Sequence, residues 1–543
     1  MIKEELQLLF NKDENALKGN NINYSLLKNF DEFLISKIDN SFNQEVFNVY
    51  KKFVDMKQEA PDSMKTVLFS TIRNYANDEF SKGDYIGALV LFRFLMVKSA
   101  LDSLDYINIA KCLICTSDTA LYKDFLQLYE DKEENKLLAY IELANIYKTI
   151  KDYKAAIDCY EKFLSIDQTK IAVYTITADL YSKLNGSESL EKQIELYEKA
   201  YTIEPNNRLV LHGLAYGYEK LGLKDKAKIF YEKLLGNNPT ENDYYNYGGF
   251  LISCGDFING HKYFTHRFNI DNINLKYPAD ESKKWDLKSD ISDKTLLIHY
   301  EQGFGDTIMY CRFVPQIKNI AKKVIFVVQK ELFNLIATSE IFRDIEIITD
   351  EKSTNYDVNM ALLDVPLVVN ANSDNLPYTT GYLNIKEYKF VDHNNNTFKI
   401  GLSLSGSKTA NYSGRDIEVE RIYNLLKDIP NITLYNLQKN DKECDGIISL
   451  GKTFKDFTDS ACAICNMDLI ISTDNVILNL SGALGIDTIG LFNKETNYRW
   501  FKPEGENVGW YESVKPLQNK KQNDWNNTIS ELVNIIENKL KLN

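Results

Sequence analysis

A chain of 543 residues with 44% hydrophobic side chains is long enough to fold into about two to four domains with buried cores. Its formal net charge of −13 at pH 7 argues against a surface that binds nucleic acid phosphates, so nucleic acid is not an expected partner. The N-terminus has no basic region followed by an apolar one, and no charge-free apolar run reaches the roughly 20 residues that span a bilayer. We therefore expect a cytoplasmic protein without a transmembrane segment.

The first half of the sequence has helical periodicity up to about residue 268, and this periodicity contains a repeat. Small and aromatic residues recur at the spacing of a tetratricopeptide repeat in two clear units, which begin at Leu143 and Leu214. Weaker units extend the assignment, so residues 66–270 are predicted to be helical repeats and residues 1–65 a helical N-terminal region. Such repeats stack into a concave binding surface. The alternative is that they only cover the following domain.

The second half changes, from about Lys294, to short β-branched runs that alternate with amphipathic helices. This pattern is typical of parallel sheets covered by helices. Two α/β domains are predicted, 285–391 and 398–502, joined by the polar linker Asp392–Thr397 and followed by a helical tail, 503–543. The predicted strands are Thr295–Tyr300, Val324–Gln329, Ile345–Ile348, Val358–Met360, Lys399–Leu404, Ile432–Leu437, Ile447–Leu450, Leu469–Ser472 and Thr488–Phe492, and a final helix is predicted at about Ile529–Leu540.

The segment Glu301–Thr307 joins the first predicted strand to a helix through two glycines. Because Gly303 and Gly305 have no Cβ, the backbone can turn tightly and approach a substrate closely. Asp306 lies at the mouth of this turn, where the sheet ends and ligands bind in α/β folds. The alternative is a turn with a purely structural role.

A second junction of this kind follows a later strand, at Ser472–Asn475. The small-residue helix Leu480–Gly485 comes after it, and the free N–H groups of a first helical turn suit a diphosphate. The alternative is an ordinary helix N-cap. Two sheets joined by a linker would form a ligand cleft between the carboxyl ends of their strands.

Eight cysteines are too few for a disulfide scaffold in a chain of this length. Cys112/Cys115 and Cys462/Cys465 have the C-x-x-C spacing that can ligate zinc or support redox chemistry. Both pairs lie inside helical patterns without histidines nearby, and free cysteine is among the most often buried residues. We therefore expect buried small side chains at these positions and no metal site.

These segments together resemble bacterial tetratricopeptide-repeat proteins whose C-terminal half is similar to the ADP-heptose:lipopolysaccharide heptosyltransferases. The resemblance covers about 285–502 in ordered blocks, whereas the repeats match only at a general level. It implies an α + α/β fold class, with an N-terminal helical solenoid followed by a GT-B-type pair of Rossmann-like domains. The matching blocks are EQGFGDTIMYCRFVPQI at 301–317, Trp285-Asp286, Leu404–Ser407, Leu437-Gln438, Asp468–Asp474, Leu480–Gly485 and Arg499-Trp500.

The resemblance implies a metal-independent glycosyltransferase that inverts the anomeric centre, with a nucleotide-diphosphate sugar as co-substrate and no other cofactor. Asp306 corresponds to the family's general base, beside an acceptor loop that contains Gln302, Gly303 and Gly305. Arg415 or Lys408 would contact the donor phosphates, and Arg415 is favoured because Arg415-Asp416-Ile417 resembles the family's Arg-Ser-Ile. The other implied donor-binding residues are Asp474, Asn475, Asn479, Ser481 and Gly482.

One position departs from the family pattern Asp-Thr-x-x-x-His-Leu, which is Asp474-Asn475-Val476-Ile477-Leu478-Asn479-Leu480 in this chain. Asn479 cannot carry a proton or a positive charge as histidine can. If that position stabilises the departing charge, the change would lower activity or indicate a different donor. Asn475 is a milder change, because its side chain still offers polar atoms at a helix start.

The expected function is sugar transfer to a protein, glycan or lipid acceptor, with the repeats holding a protein or glycan acceptor or a partner. One alternative is a non-enzymatic scaffold with a degenerate transferase domain, which Asn479 favours. Another is a small-ligand sensor that binds nucleotides in the cleft and reports them through the repeats. The sequence leaves the sugar, the nucleotide, the acceptor and the oligomeric state open.

Overall fold

The chain divides into two compact units, Met1–Leu184 and Asn185–Asn543. The division falls within the region that the sequence assigns to repeats. The computed structural model describes residues 24–37, 62–98, 100–118, 120–184, 187–270, 275–385, 397–406, 415–439, 444–494, 496–503, 505–521 and 523–542.

The described part of the first unit is helical, and its helices pack in consecutive pairs. Short polar residues start several of them: Asp84 accepts a hydrogen bond from the N–H of Gly87 at 2.9 Å, and Asp152 accepts one from Ala155 at 3.2 Å. These caps satisfy backbone donors that a helix leaves free at its start. The paired helices are α2 with α3, α4 with α5, and α6 with α7. The bounds are α1 (Tyr24–Lys37), α2 (Asp62–Lys82), α3 (Tyr85–Val97), α4 (Ser103–Cys115), α5 (Leu121–Lys132), α6 (Lys136–Thr149), α7 (Tyr153–Ile166) and α8 (Ile171–Tyr181).

The second unit begins with further helices, and here α10 packs with α11 and α12 with α13. The last pair approaches very closely, because a Cβ on Gly248 of α12 would lie 2.9 Å from the carbonyl oxygen of Gly260 in α13. Small residues at such contacts are what the repeat pattern predicts. The bounds are α9 (Ser187–Ile203), α10 (Arg208–Lys220), α11 (Lys224–Leu235), α12 (Glu241–Ser253) and α13 (Phe257–Phe264).

A four-stranded parallel sheet follows in the order β3-β2-β1-β4. All four of these strands were predicted, with slightly different ends. Its residues are buried almost throughout β1, as expected for a parallel sheet with both faces covered. The bounds are β1 (Thr295–His299), α14 (Phe304–Cys311), β2 (Lys323–Val327), α15 (Phe333–Thr338), β3 (Glu346–Ile348), β4 (Val358–Ala361) and α16 (Val365–Val368).

The second parallel sheet has six strands in the order β10-β9-β8-β5-β6-β7. The predicted C-terminal helix is present as α20, which packs against α17 and β10 and buries Ile529, Leu532 and Ile536. The bounds are β5 (Phe398–Ser403), α17 (Val419–Leu426), β6 (Ile432–Asn436), β7 (Ile448–Ser449), α18 (Phe457–Ile464), β8 (Leu469–Thr473), α19 (Val476–Ala483), β9 (Thr488–Phe492), β10 (Val514–Gln518) and α20 (Asn526–Leu542).

Strand β10 corrects the expectation that residues 503–543 form a helical tail. It lies at the edge of the second sheet, parallel to β9. Within it only Val514 and Leu517 are buried, and Pro516 removes one backbone donor. Within sheets, proline is found mainly on edge strands. Here Pro516 also interrupts the alternation of apolar and polar residues that predicts a strand.

Several other predictions concern single segments. Of the predicted linker, only Thr397 is among the described residues, and Lys408 lies outside them. Cys112 is buried, Cys462 and Cys465 are half-buried, and Cys115 is exposed, so the expectation of burial is wrong for Cys115. In the described ranges no helix is long and apolar enough to cross a membrane.

Candidate functional site

The carboxyl ends of strands from both sheets open onto one cleft of about 1250 Å³ within the second unit. The first sheet contributes the loop after β1, and the second sheet contributes the segments after β5, β6 and β8. Ligands bind at this edge of parallel sheets, outside the ends of the strands. The cleft is therefore the candidate functional site.

The loop between β1 and α14 carries its unusual backbone conformation on Gln302 rather than on a glycine. Gln302 has φ +59°, in the left-handed region, whereas Gly303 has an extended conformation with φ −86° and ψ 170°. Non-glycine residues in this region are uncommon and concentrate at functional sites. Gly305 has a different role from the predicted turn: a Cβ there would lie 3.1 Å from Nδ2 of Asn479, so its small size lets α14 approach α19.

Asp306 is held by two contacts at the start of α14. One carboxylate oxygen accepts a hydrogen bond from the N–H of Gly303 at 3.1 Å, and the other lies 2.6 Å from a guanidinium nitrogen of Arg499. Arg499 also donates to the side chain of Gln302 at 3.3 Å, and its guanidinium faces the rings of Tyr310 and Tyr498. Because the Asp306 side chain is 18% exposed and that of Arg499 10%, this ion pair is only partly shielded from the cleft.

A buried ionic cluster fixes the base of the same loop. Arg267, which follows α13, contacts both carboxylate oxygens of Glu301 at 2.6 and 2.8 Å and one oxygen of Asp364 at 2.7 Å. Glu301 also accepts the N–H of Leu363 at 3.0 Å. Because these charges are buried and hydrogen-bonded to one another, removal of one partner should cost much of the folding stability. It ties the last pair of repeat helices to the first residue of the Glu301–Thr307 loop.

Asp474 lies on the second-sheet side of the cleft, after β8. Its carboxylate accepts a hydrogen bond from the indole N–H of Trp500 at 2.9 Å, and its backbone carbonyl accepts one from Arg415 at 3.2 Å. Burial raises the pKa of Asp474, while the Trp500 hydrogen bond and the charges of Arg415 and Arg499 partly offset that rise. Two guanidinium groups therefore lie near one carboxyl group, in a cleft that Arg415 also lines.

Two amide side chains hold the polar edge of the second sheet together. Asn475 caps α19 through the N–H of Ile477 at 2.9 Å and donates to the carbonyls of Ser403 and Ser405 at 2.9 and 3.1 Å. Gln438 accepts the N–H groups of Leu404 and Ser405 at 2.7 and 3.0 Å. The strand ends after β5, β6 and β8 are thereby linked to each other, and Asn475 acts as the N-cap that the sequence offered as an alternative.

Ser481 and Gly482, the predicted diphosphate contacts, are not among the residues that line the cleft. Helix α19 begins at Val476, which places both residues in its last turn, away from the cleft. The Ser481 hydroxyl is buried and donates to the carbonyl of Leu478 at 3.0 Å, and a Cβ on Gly482 would lie 2.4 Å from the ring of Tyr511. Val476 and Ile477, in the first turn of α19, line the cleft instead.

Asn479 does line the cleft, but its side chain is engaged within the protein. Its Nδ2 donates to the carbonyl of Asn475 at 3.3 Å, and its Oδ1 accepts a hydrogen bond from the hydroxyl of Tyr511 at 3.2 Å. It is 6% exposed. In this position it holds α19 against the segment that contains Tyr511.

Aromatic side chains complete the lining of the cleft, and no functional role was predicted for any of them from the sequence. Tyr245 comes from repeat helix α12 and Tyr498 from the segment after β9. Phe304 of the first sheet's loop lies 4.9 Å from Phe457 of α18, ring centre to ring centre. Arg499 and Trp500 were also missed as functional residues, although they form one block of the resemblance; for Tyr245 the sequence carries no comparable signal.

Among the described residues, no group of three or more His, Cys, Asp or Glu side chains is arranged to hold a metal ion. The charged residues of the cleft are instead spread around its walls. The cationic ones are Arg415, Lys439, Lys455 and Arg499, and the acidic ones are Glu331, Asp306, Asp456 and Asp474. Both charge types are thus available to a ligand.

Comparison with known proteins places the family match in the helical half, and one relative matches over a longer part of the chain. The tetratricopeptide-repeat family model matches residues 137–170 and 210–241. The helical half carries tetratricopeptide repeats. TPR repeat-containing protein MJ1428 of Methanocaldococcus jannaschii is 23% identical over 413 residues, 72% of this chain and 66% of its own. TPR repeat protein oca3 of Schizosaccharomyces pombe is 26% identical over 179 residues, 30% of this chain and 62% of its own. The chain thus spans slightly less than two thirds of each relative.

Among solved structures, a crystal structure of MamA is 20% identical and covers 33% of this chain and 94% of its own, with a TM-score of 0.26. A structure of MamA from Desulfovibrio magneticus, from residue 41 to the end, is also 20% identical and covers 31% of this chain and 92% of its own, with a TM-score of 0.25. The repeats indicate a role in protein interaction.

Proposed function

We propose that this protein is a glycosyltransferase that moves a sugar from a nucleotide-diphosphate sugar to an acceptor hydroxyl. In this proposal the two parallel sheets form a GT-B-type pair, the reaction inverts the anomeric centre, and no metal ion takes part. The tetratricopeptide repeats bind the acceptor or a partner protein. The non-enzymatic scaffold is the second candidate.

The observation that carries the proposal is the shared cleft. Asp306 reaches it from the first sheet, and Asp474 with Arg415 reaches it from the second. A transferase must hold an acceptor and a donor on opposite sides of the bond that is exchanged. A cleft with a carboxylate on one wall and a guanidinium near a helix start on the other offers both functions.

Asp306 is the proposed general base. A carboxylate has about four lone-pair sites, and the Gly303 N–H occupies only one of them at one oxygen of Asp306. The acceptor oxygen forms a bond to the anomeric carbon, and its proton passes to Asp306. The bond from that carbon to the diphosphate oxygen breaks, and the electron pair leaves with the nucleoside diphosphate.

The leaving diphosphate is the group that needs positive charge. Arg415 offers a planar guanidinium that matches phosphate oxygens and stays charged. The first turn of α19 offers backbone N–H groups at the positive end of the helix dipole. Asp474, held by Trp500, could accept hydrogen bonds from hydroxyl groups of the donor sugar.

The repeats are proposed to deliver the acceptor. Tyr245 belongs to a repeat helix and also lines the cleft, so an acceptor held on the last repeat would lie beside Asp306. A tyrosine ring can stack on a sugar or support a peptide backbone through its amphipathic surface. Protein, glycan and lipid acceptors all remain compatible with the same base.

The scaffold alternative is favoured by Asn479. It replaces the histidine of the resembled family, and its amide is used within the protein by Asn475 and Tyr511. A cleft that had lost its catalytic charge would retain its shape while the repeats bind partners. This candidate predicts that no nucleotide sugar is consumed.

The test begins with a panel of UDP, GDP and ADP sugars in a thermal-shift assay, with and without EDTA. Any donor that raises the melting temperature is then incubated with wild-type protein and with Arg415→Ala and Asp306→Ala variants. We expect Arg415→Ala to weaken donor binding more than Asp306→Ala does, because only Arg415 supplies charge to the phosphates. Arg343→Ala, at an exposed ion pair with Glu340, serves as the matched control.

The outcomes separate the candidates. Binding of a donor followed by its hydrolysis or transfer supports the transferase. If no nucleotide sugar of the panel raises the melting temperature, both the transferase and the sensor hypotheses are contradicted. Binding without turnover favours the sensor or the scaffold. Equal donor affinities in the Arg415 and Asp306 variants would contradict the assignment of Arg415 to the phosphates.

A further inference from the structure

Arg499 has a position that the proposed reaction does not yet use. It comes from the segment after β9, on the side of the second sheet, yet its guanidinium pairs with Asp306 of the first sheet at 2.6 Å. It also reaches Gln302, the residue with left-handed backbone, at 3.3 Å. Arg499 therefore joins the two walls of the cleft directly at the proposed base.

The same guanidinium lies close to where a donor diphosphate would bind. Arg499 and Arg415 both act by charge on Asp474, which places Arg499 near the second-sheet wall as well as near Asp306. Its neighbour Trp500 contacts the Asp474 carboxylate at 2.9 Å. Arg499 thus contacts the proposed base and lines the same cleft as Arg415, the proposed phosphate ligand.

Aromatic rings form part of the surroundings of the Arg499 guanidinium. Its guanidinium faces the Tyr498 ring at 5.0 Å and the Tyr310 ring at 5.7 Å. Aromatic faces attract a guanidinium without fixing the direction of its N–H groups as a second carboxylate would. This differs from Arg267, whose nitrogens are bound by two carboxylates and a carbonyl.

We propose that Arg499 is shared between Asp306 and the donor diphosphate, so that donor binding draws it away from Asp306 and makes that carboxylate available to the acceptor. This inference rests on the proposed transferase function. While Arg499 pairs with Asp306 the base is occupied, and in the donor complex Arg499 binds a phosphate oxygen beside Arg415. The donor must then bind before a productive acceptor, and Arg499 is a positioning residue for Asp306.

The charge changes during sugar transfer explain why Arg499 would move from Asp306 to the diphosphate. When the acceptor oxygen bonds to the anomeric carbon, its proton goes to Asp306 and the negative charge leaves on the diphosphate. A guanidinium on the diphosphate stabilises that charge, whereas the same guanidinium on Asp306 would compete with the incoming proton. If a water molecule enters the cleft before the donor, one oxygen of the Asp306 carboxylate is already paired with Arg499.

A double-mutant cycle on nucleoside diphosphate affinity tests the proposal. UDP, GDP and ADP serve as probes, because they are the products of the proposed reaction, and their binding to the full chain is measured by titration calorimetry. Asp306→Asn is expected to tighten the binding of the recognised nucleoside diphosphate about three- to tenfold, because Arg499 no longer has a competing carboxylate. In an Arg499→Met background, the same Asp306→Asn change is expected to bring no such gain.

The cycle also separates competition from simple repulsion. If Asp306 only repelled the phosphates, its replacement would tighten binding with Arg499 absent as well, and that result would overturn the proposal. Glu346→Gln, at an exposed ion pair with Lys323, removes one negative charge elsewhere and should leave affinity unchanged. Arg499→Gln provides a second background if Arg499→Met lowers the melting temperature strongly.

Two failures are distinguishable. If none of the three nucleoside diphosphates binds the wild type, the proposed transferase function fails and this inference with it. If one binds, but Asp306→Asn leaves its affinity unchanged or weakens it, the transferase function stands and Arg499 is only a structural contact between the two walls.

Discussion

The junctions after β1 and after β8 have the same sequence plan, a buried strand, an aspartate and a helix, yet they are held in different ways. The first is braced from outside its sheet, by Arg267 at Glu301 and by Arg499 at Asp306. The second is held mainly by its own sheet, through the Asn475 amide to Ser403 and Ser405. The comparison shows that the same order of strand, aspartate and helix can give two different sites. One is a partly exposed carboxylate paired with an arginine, and the other is a carboxylate hydrogen-bonded to an indole.

The largest expected effect separates the two aspartates by kinetics. Asp306→Asn should lower kcat by roughly 10²- to 10⁴-fold without raising the donor KM, because the amide cannot take the acceptor proton. Asp474→Asn keeps a hydrogen-bonding side chain beside Trp500, so it should act mainly on donor KM. Initial rates with the donor found in the nucleotide-sugar panel measure both; equal kcat values for the two variants would remove the distinction.

The second prediction concerns the external brace of the first junction. Arg267→Met leaves Glu301 and Asp364 as buried carboxylates without their cation, which should cost about 3–5 kcal/mol. Denaturant unfolding followed by tryptophan fluorescence is suitable, because Trp285, Trp500, Trp510 and Trp525 all lie in the second unit. Arg343→Met, at an exposed ion pair, should change stability by less than about 1 kcal/mol.

A similar loss in both variants would mean that the buried cluster contributes no more than a surface pair. The brace would then not distinguish the two junctions.

The third prediction concerns the loss of stability at acid pH that a buried histidine near the same brace should cause. His261 of α13 is fully buried against Phe257, Phe264 and Tyr310, and burial, with the charges of Arg267 and Arg499, lowers its pKa from 6.5 to about 3. As pH falls through that window, the unfolded state takes up a proton that the folded state refuses, so stability is lost. At pH 5 the loss is about 2 kcal/mol.

His261→Phe should remove that acid sensitivity, because phenylalanine does not titrate and can keep the ring contacts. Melting temperatures between pH 7 and pH 4.5 measure it, with His266→Gln as the control, since His266 is partly exposed beside Glu241. If the His261 variant loses stability with acid as steeply as the wild type, another group causes the effect.

The sequence could predict the two junctions but not what holds them. Apolar runs before Asp306 and Asp474 locate both strands, and the small residues of the repeats locate α12 and α13. The start of α19 was misplaced because Val476, Ile477 and Leu478 do not distinguish a helix from an apolar run, and Ser481 and Gly482 were then assigned to the wrong turn. Contacts such as Arg499 with Asp306 join distant parts of the chain, and no local pattern records them.

The smallest expected effect compares one glycine from each junction. A Cβ on Gly482 would meet the Tyr511 ring at 2.4 Å, whereas a Cβ on Gly305 would meet only the end of the Asn479 side chain at 3.1 Å. Gly482→Ala should therefore cost about 1–3 kcal/mol through overpacking. Gly305→Ala should change stability by less than about 1 kcal/mol, because helix propensity offsets a small side-chain shift.

Donor affinity sharpens this last comparison, because the two glycines differ in their distance from the cleft. Gly482 lies in the last turn of α19 and does not line the cleft, so Gly482→Ala should leave nucleoside diphosphate binding unchanged once the protein is folded. A Gly482→Ala variant that keeps its stability but loses nucleotide affinity would place the diphosphate near the end of α19 rather than at its first turn. The phosphate site would then have to be sought on the second sheet alone, away from Asp306.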